Sequence, residues 1–473
     1  MFAVMFAGPQ FVIGEEASRS EKFNVLFIVS DDLNTDLGCY GHSLVHSPNI
    51  DRLARRSVRF ERAYCQNPLC NPSRVSFLTG LYSDQTKAVT NTIRFREHLP
   101  DVVTLPQMFR NNGYYVARVG KLFHYGVPSQ IGTDGYDDPP SWEEVVNPRG
   151  IDRESHDRIH SLIPGRFGDT LSWLAIDGDN EEHTDGMVAT QAIELLEKNH
   201  PAKTKRPFFL GVGFFRPHTP FVAPTKHFDL HPREKIDPLM HDIEDRDGIP
   251  LAARFNKSEQ ENLSRAQRRE IIQAYYASIS LMDAQVGRLI DALDRLDLTD
   301  STVVVFLSDH GFHLGRHGQW QKMTLFEESA RVPLIVHAPQ AKGNGRPAAG
   351  LVELVDLYPT LAELCGMEAP GHLAGTSLVP LLDDPSRGGK EAALTRTVSR
   401  LKPREGDRRV DGFSIRTPRY RYTEWGDGRY GVELYDYERD PEESTNLAGR
   451  AEHAETVKRL KLLLTDRKQA TSQ

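Results

Sequence analysis

The chain predicts an α/β fold: a large unit on a central mixed, mostly parallel sheet with helices on both faces, then a smaller antiparallel sheet carrying one helix. Three features predict it. Two short, uninterrupted apolar runs, residues 24–30 and 302–308, read as strands buried on both faces. Helical patterns separate these runs from further short apolar segments, the alternation expected of a covered sheet. Beyond about residue 380 the texture changes to short β-rich segments punctuated by turns.

In chain order, strand 24–30 ends in Asp31-Asp32 and is followed by a helix at 50–57. A second helix over 74–79 stops at Gly80, a residue suited to the left-handed backbone of a helix end. Helix 104–111 leads to strand 114–119, helix 184–199 to strand 208–214, and the long helix 265–296 to strand 302–308, which ends in Asp309-His310. Strand 333–336 and helix 354–365 complete the unit. The polar, proline-bearing stretch 225–259 reads as a surface excursion, and long loops tend to serve a site. Pro385-Ser386-Arg387-Gly388-Gly389 reads as a linker before strands at 395–399, 412–416, 420–425 and 433–437 and a helix at 451–467. The predicted division is an N-terminal extension at 1–20, a large domain at 21–384 and a C-terminal subdomain at 385–473.

With 473 residues, 39% hydrophobic and 26% charged, the chain can bury a large core, and no apolar run reaches membrane-spanning length. A net charge of −8 with the signs interspersed argues against a general nucleic-acid surface. Cys39, Cys65, Cys70 and Cys365 are too few and too irregular for a disulfide framework or zinc ribbon, and leave Cys39 with Cys65 as an open pairing. The apolar start, Met1 to Gly8, lacks a basic residue and reads as the tail of a secretion signal, which implies a periplasmic or secreted protein.

Cys70 stands at a helix start, where unpaired N–H groups and the helix dipole stabilise negative charge, and Arg74 shares its face one turn on. Two readings fit: an activated nucleophile or anion site, and a buried free cysteine beside a Pro-Ser turn. Asp31-Asp32 and Asp309-His310 each follow a buried strand. Carboxylates gathered at one sheet edge repel unless a cation lies between them, and a hard divalent ion such as calcium suits their oxygens better than zinc. The alternative is that both pairs merely terminate strands. Lys121 and His124 follow strand 114–119, His218 follows strand 208–214, and Lys322 follows Trp320; each alone fits an ordinary loop residue. Together, beyond the carboxyl ends of the strands, they suit transfer of a tetrahedral oxyanion such as sulfate or phosphate.

Cys70-Asn71-Pro72-Ser73-Arg74, with Leu78-Thr79-Gly80, resembles the Cys-x-Pro-Ser-Arg signature of the type I sulfatases, whose cysteine becomes formylglycine. The likeness continues through Ser30-Asp31-Asp32-Leu33, Gly38-Cys39-Tyr40-Gly41, Val119-Gly120-Lys121, Arg216-Pro217-His218, Ser308-Asp309-His310-Gly311 and Glu433-Leu434-Tyr435-Asp436, and is closest to the iduronate-2-sulfatase branch. It implies an alkaline-phosphatase-like large domain with a smaller C-terminal sheet. By position it implies one Ca2+ ion held by Asp31, Asp32, Asp309, His310 and the modified Cys70, with Arg74 holding the formylglycine. Lys121 and Lys322 would neutralise sulfate oxygens, His218 with Lys322 would protonate the departing alcohol, and His124 would take a proton from the second hydroxyl of the aldehyde hydrate. His310 departs from the asparagine commoner in the family, a departure the iduronate-2-sulfatases share.

The implied activity is exo-acting removal of the 2-O-sulfate of a uronic acid in a sulfated glycan. The implied partners are a sulfated oligosaccharide and, during maturation, a formylglycine-generating enzyme. A phosphodiester or phosphonate monoester hydrolase on the same fold is one alternative. An unmodified glycan-binding protein is another, and the proton-transfer groups around Cys70 speak against it. Residues 338–350 are shorter than the corresponding iduronate-2-sulfatase segment, implying a more open cleft. Phe312, His313 and Met323 either line that cleft or simply pack.

Overall fold

The computed structural model describes residues 22–238, 248–255, 257–404 and 406–471. The extension at 1–20 lies outside them, as does part of the stretch 225–259. Eight strands form the central sheet in the order Pro347–Glu353, Val58–Tyr64, Arg331–His337, Thr302–Ser308, Asn24–Ser30, Phe208–Gly213, Tyr115–Gly120 and Glu144–Val146. All run in one direction except Arg331–His337, which is antiparallel to both neighbours.

Asn24–Ser30 shows why the apolar runs lack alternation. Leu26 and Ile28 enter a core shared with helices Thr184–Lys198 and Arg265–Arg295. Val25, Phe27 and Val29 enter another, shared with helices Cys70–Thr79, Leu105–Asn111 and Leu357–Leu364. Each such side chain contributes about 1.5–3 kcal/mol on burial, so both faces of the strand select apolar residues.

The helices begin where their caps dictate. Thr104 Oγ1 accepts from Gln107 N at 3.3 Å while Gln107 Oε1 accepts from Thr104 N at 3.4 Å, and Ser264 and Gln267 cap the long helix in the same reciprocal way. Helix Cys70–Thr79 starts four residues earlier than the sequence pattern predicts, with Cys70 itself as its first residue. Gly80 ends it at φ +71°, and a Cβ there would come within 2.5 Å of Leu373.

Strands Val58–Tyr64, Glu144–Val146 and Pro347–Glu353 are absent from the sequence prediction. The first carries Arg59, Glu61 and Arg62 on a half-buried face, where the Arg59 guanidinium stacks 5.4 Å above the Tyr40 ring. The last is an edge strand that opens with proline, where a missing N–H is tolerated. Because Arg331–His337 runs against its neighbours, the short segment after it emerges at the sheet edge opposite Asp309, where Gly345 N bonds Ser57 O at 2.9 Å. Its length therefore does not open the cleft, contrary to the expectation for 338–350.

The described part of 225–259 is not a plain surface excursion. Phe221–Pro224 pairs with Ser172–Ile176, helix Thr225–Asp229 follows, and Phe228, Ile249, Ala252 and Phe255 are buried. The C-terminal strands Ala393–Val398, Asp411–Arg416, Tyr420–Trp425 and Gly431–Asp436 form an antiparallel sheet in chain order. Helix Ala454–Ala470 lays Leu460 and Leu464 on it, in a core that also takes Tyr82 and Val355 from the large unit. All four cysteines are free thiols, so Cys39 and Cys65 are not bridged. Among the described residues no helix is long and apolar enough to cross a membrane.

Candidate active site

Four adjacent parallel strands deliver the site. Ser30 pairs with Ser308, so Asp31-Asp32 and Asp309-His310 leave the sheet side by side, with Leu33 N donating to Ser308 Oγ at 2.9 Å. On the other flank Gly120 pairs with Gly213, and Lys121 N donates to Gly213 O at 2.9 Å. The approach is so close that a Cβ on Gly213 would lie 2.0 Å from Lys121 O, which accounts for glycine there. Lys121 and His124 leave one of these strand ends and Arg216 to His218 the other. Lys322 comes from a turn flanked by two left-handed non-glycine residues, Gln321 at φ +70° and Met323 at φ +74°. Hydrogen bonds from Gln260 Nε2 to Gln321 Oε1 at 3.1 Å and from Met323 N to Pro68 O at 3.1 Å hold this turn.

Cys70 is fully buried at the helix start, its Sγ 3.1 Å from Lys322 Nζ, 3.3 Å from His310 Nε2 and 3.9 Å from Asp32 Oδ1. Arg74, one turn on and wholly buried, donates Nε to Asp309 Oδ2 at 2.8 Å, Nη2 to Asp31 Oδ1 at 3.2 Å, and Nη1 to the carbonyls of Lys121 at 2.5 Å and Leu122 at 3.0 Å. Lys121 Nζ lies 2.5 Å from Asp31 Oδ2, and Lys322 Nζ lies 2.5 Å from Asp32 Oδ1. The Asp32 backbone, left-handed at φ +67°, is pinned by Tyr275, whose hydroxyl donates to Asp32 O at 2.8 Å. His218 Nδ1 faces Thr219 O at 2.6 Å, which turns Nε2 toward Asp32 Oδ2, 3.8 Å away. All ten of the sequence-predicted site residues, Cys70 having been assigned both roles, therefore fall in one cluster.

Burial acts to raise the Cys70 thiol, but the charges of Lys322, Lys121 and His310 outweigh it and bring the thiol well below its ordinary value. Burial pushes His124 down to about 4, leaving a neutral imidazole beside Cys70. His310 moves the other way: burial opposes its charge, yet Asp309 beside it carries it up to about 9. The field among these acids therefore favours a positive charge at His310. Asp31, Asp32, Cys70, Asp309, His310 and His218 supply two overlapping sets of four potential ligand atoms within 4.8 Å of one another, and Asp32 Oδ2 is buried without a hydrogen-bond partner. Half of these groups are carboxylates, one with an orphaned oxygen, and such oxygens fit a hard divalent cation.

His124 and His218, beside the buried thiol, lie in the wall of a cleft of about 480 Å³. The same cleft is lined by Asn91, Arg153, His156 and Asp169, none of which sequence reasoning singled out. They lie in polar segments without periodicity, and only the count of cations in 149–158 set that stretch apart. Phe312 and His313 prove to be packing residues. Phe312 stacks on Tyr275 with centroids 5.3 Å apart, and His313 Nε2 is 2.6 Å from Thr324 Oγ1.

Comparisons with known proteins agree with this geometry. The sulfatase family profile matches residues 23–367, and that of the N-sulphoglucosamine sulphohydrolase C-terminal region matches residues 315–470. Human iduronate 2-sulfatase is 36% identical, covering 86% of this chain and 86% of its own length. Among solved structures, the phosphonate monoester hydrolase of Agrobacterium radiobacter superposes with a TM-score of 0.77 at 24% identity, over 95% of this chain and 96% of that one. A 2-O GAG sulfatase superposes with a TM-score of 0.74 at 23% identity, over 95% and 93%. The last two likenesses concern the alkaline-phosphatase-like fold. The chain belongs to the sulfatase family and is a sulfuric ester hydrolase.

Proposed function

We propose that this sulfatase removes the 2-O-sulfate of a uronic acid at the end of a sulfated glycan, with residue 70 converted to formylglycine and one calcium ion at the acids. The observation that carries this reading is the convergence of acids, lysines and histidines on Cys70 in a chain 36% identical to an iduronate 2-sulfatase. Asp31, Asp32, residue 70, Asp309 and His310 would hold the ion, which when bound polarises a sulfate oxygen and favours ionisation of the attacking hydroxyl. A thiol sulfated at sulfur has no easy exit, whereas the hydrated aldehyde of formylglycine supplies one hydroxyl for attack and a second for release of sulfate.

The chain's own groups do the remaining work. Arg74 orients residue 70 and balances Asp31 and Asp309. Lys121 and Lys322 bind sulfate oxygens. Burial opposes the charge on Lys322, but Asp32 and the Cys70 side chain raise its pKa overall, so it stays an ammonium. His218, its Nδ1–H fixed on Thr219 O, presents Nε2 to protonate the leaving alcohol. His124, neutral through burial, accepts the proton from the second hydroxyl.

The test is hydrolysis by the matured enzyme of three compounds, read as sulfate released from a 2-O-sulfated uronyl disaccharide and from a 6-O-sulfated glucosamine disaccharide, and as phenol released from an aryl phosphonate monoester. Turnover of the first well above the other two is expected. Preference for the glucosamine sulfate overturns the positional assignment, and preference for the phosphonate overturns sulfate as the main substrate.

A further inference from the structure

The cleft that His124 and His218 line is also lined by Arg153, from helix Ile151–Glu154, and by His156, from the turn after it. Arg153 faces the cleft there. Its Nη1 lies 2.8 Å from His156 Nδ1 and 3.1 Å from His156 Nε2, Nη2 reaches Ser129 O at 3.5 Å, and Nε is buried without a hydrogen-bond partner. Among the described residues no carboxylate pairs with this guanidinium. The neighbouring acids are engaged elsewhere: Asp152 with Arg216 at 2.5 Å, Glu154 with Arg149 at 3.9 Å, and Asp169, also in the cleft wall, with Arg166. Burial first, and Arg149 second, lower the Arg153 pKa, the mark of a cation short of counter-charge.

The position of Arg153 is fixed relative to the catalytic wall. Asp152, its chain neighbour, accepts from Arg216 Nη2 at 2.5 Å and from Thr184 N at 2.8 Å and Oγ1 at 2.6 Å. Arg216 in turn donates to Val222 O at 3.0 Å and His218 O at 3.4 Å. A buried ion pair thus clamps the helix bearing Arg153 to the turn bearing His218, and their spacing is built into the fold. A half-buried guanidinium without an internal carboxylate partner, held at a set distance from an ester-cleaving centre, gains its missing charge-assisted bonds from an anion on the substrate.

We propose that Arg153, flanked by His156, is a subsite for a second anionic group of the substrate, the uronate carboxylate, while the ester sulfate lies at residue 70. This rests on the uronic-acid reading above.

The test uses inhibition of aryl sulfate turnover by glucuronate and by its neutral methyl ester, in the wild type, Arg153→Met and Arg153→Lys. Glucuronate should bind the wild type more tightly than the ester by about 10- to 100-fold, the range of one charge-assisted contact. That ratio should fall toward one in Arg153→Met and survive in part in Arg153→Lys. Because it compares two inhibitors of one variant, a general loss of activity or folding cancels. A wild-type ratio near one, or a ratio unchanged in Arg153→Met, overturns the proposal. Glucose 6-sulfate inhibiting the wild type more tightly than glucuronate, with that excess lost in Arg153→Met, overturns the carboxylate assignment. Should the wild type show the expected ratio yet release no sulfate from a 2-O-sulfated uronyl disaccharide, the substrate reading fails while the subsite stands.

Discussion

Arg74 and Asp309 meet in full burial, Nε to Oδ2 at 2.8 Å, and the same guanidinium reaches Asp31 at 3.2 Å, so one arginine ties together the acids of two adjacent strands. Removing it leaves two buried carboxylates without their fork, and breaking a buried pair in this way costs about 3–5 kcal/mol. Arg74→Met should lower the urea midpoint accordingly. Arg74→Lys, which keeps the charge but not the planar fork, should recover only part of it. A midpoint unchanged in Arg74→Met would sink the structural role.

His218 and its Nε2 bear on the leaving group. His218→Ala should slow hydrolysis of a sugar sulfate by about 10²- to 10⁴-fold, and should slow an aryl sulfate with a good leaving group much less. Steady-state kcat on the two substrates checks this, and equal losses on both would remove His218 from the proton-donor role.

For the cation, the orphaned Asp32 Oδ2 and the acids around it provide the handle. Dialysis against a calcium chelator should abolish turnover and lower the melting temperature. Calcium at about 100 times its dissociation constant should restore about 2.7 kcal/mol. Asp32→Asn should lose the thermal response to calcium, and a response of wild-type size in that variant would place the ion elsewhere.

His313 sets a pH dependence of stability. Burial, with Arg316 second, pushes its pKa down to about 3 from an ordinary value near 6.5. Below pH 6.5 the unfolded chain takes up a proton that the folded chain refuses, so the stability this residue contributes is complete above 6.5 and is lost as pH falls toward 3. The slope is up to about 1.4 kcal/mol per pH unit. His183 and His231, both held near 4 by burial, act in the same direction and keep part of the slope. His313→Gln should therefore be less steep than the wild type between pH 6.5 and 4 in urea titrations, and parallel curves would contradict it.

Much of this was legible in the chain because burial leaves a simple mark. Asn24–Ser30 and Thr302–Ser308 are apolar throughout since both faces are covered, and the acids that follow them had to meet once the strands paired in register. Cys70 and Arg74 could be placed on one face from helical spacing alone. Val58–Tyr64 escaped because its charged residues are satisfied by partners distant in sequence, and Pro347–Glu353 because an edge position tolerates residues a central strand would not. In the site, the clamp between Asp152 and Arg216 spans 64 residues, and the hydroxyl of Tyr275 supports Asp32 from 243 residues away. Such contacts exist only after folding and leave no local pattern. The same reason hid Arg153, whose meaning depends on the histidines that line the same cleft.

The most direct measurement is the mass of the peptide containing residue 70, taken from preparations whose aryl sulfate turnover is known. The fraction of peptide with the mass of formylglycine should rise in proportion to specific activity across preparations made with and without the modifying enzyme. Full activity in a preparation whose residue 70 is entirely cysteine would contradict the proposed chemistry at that position.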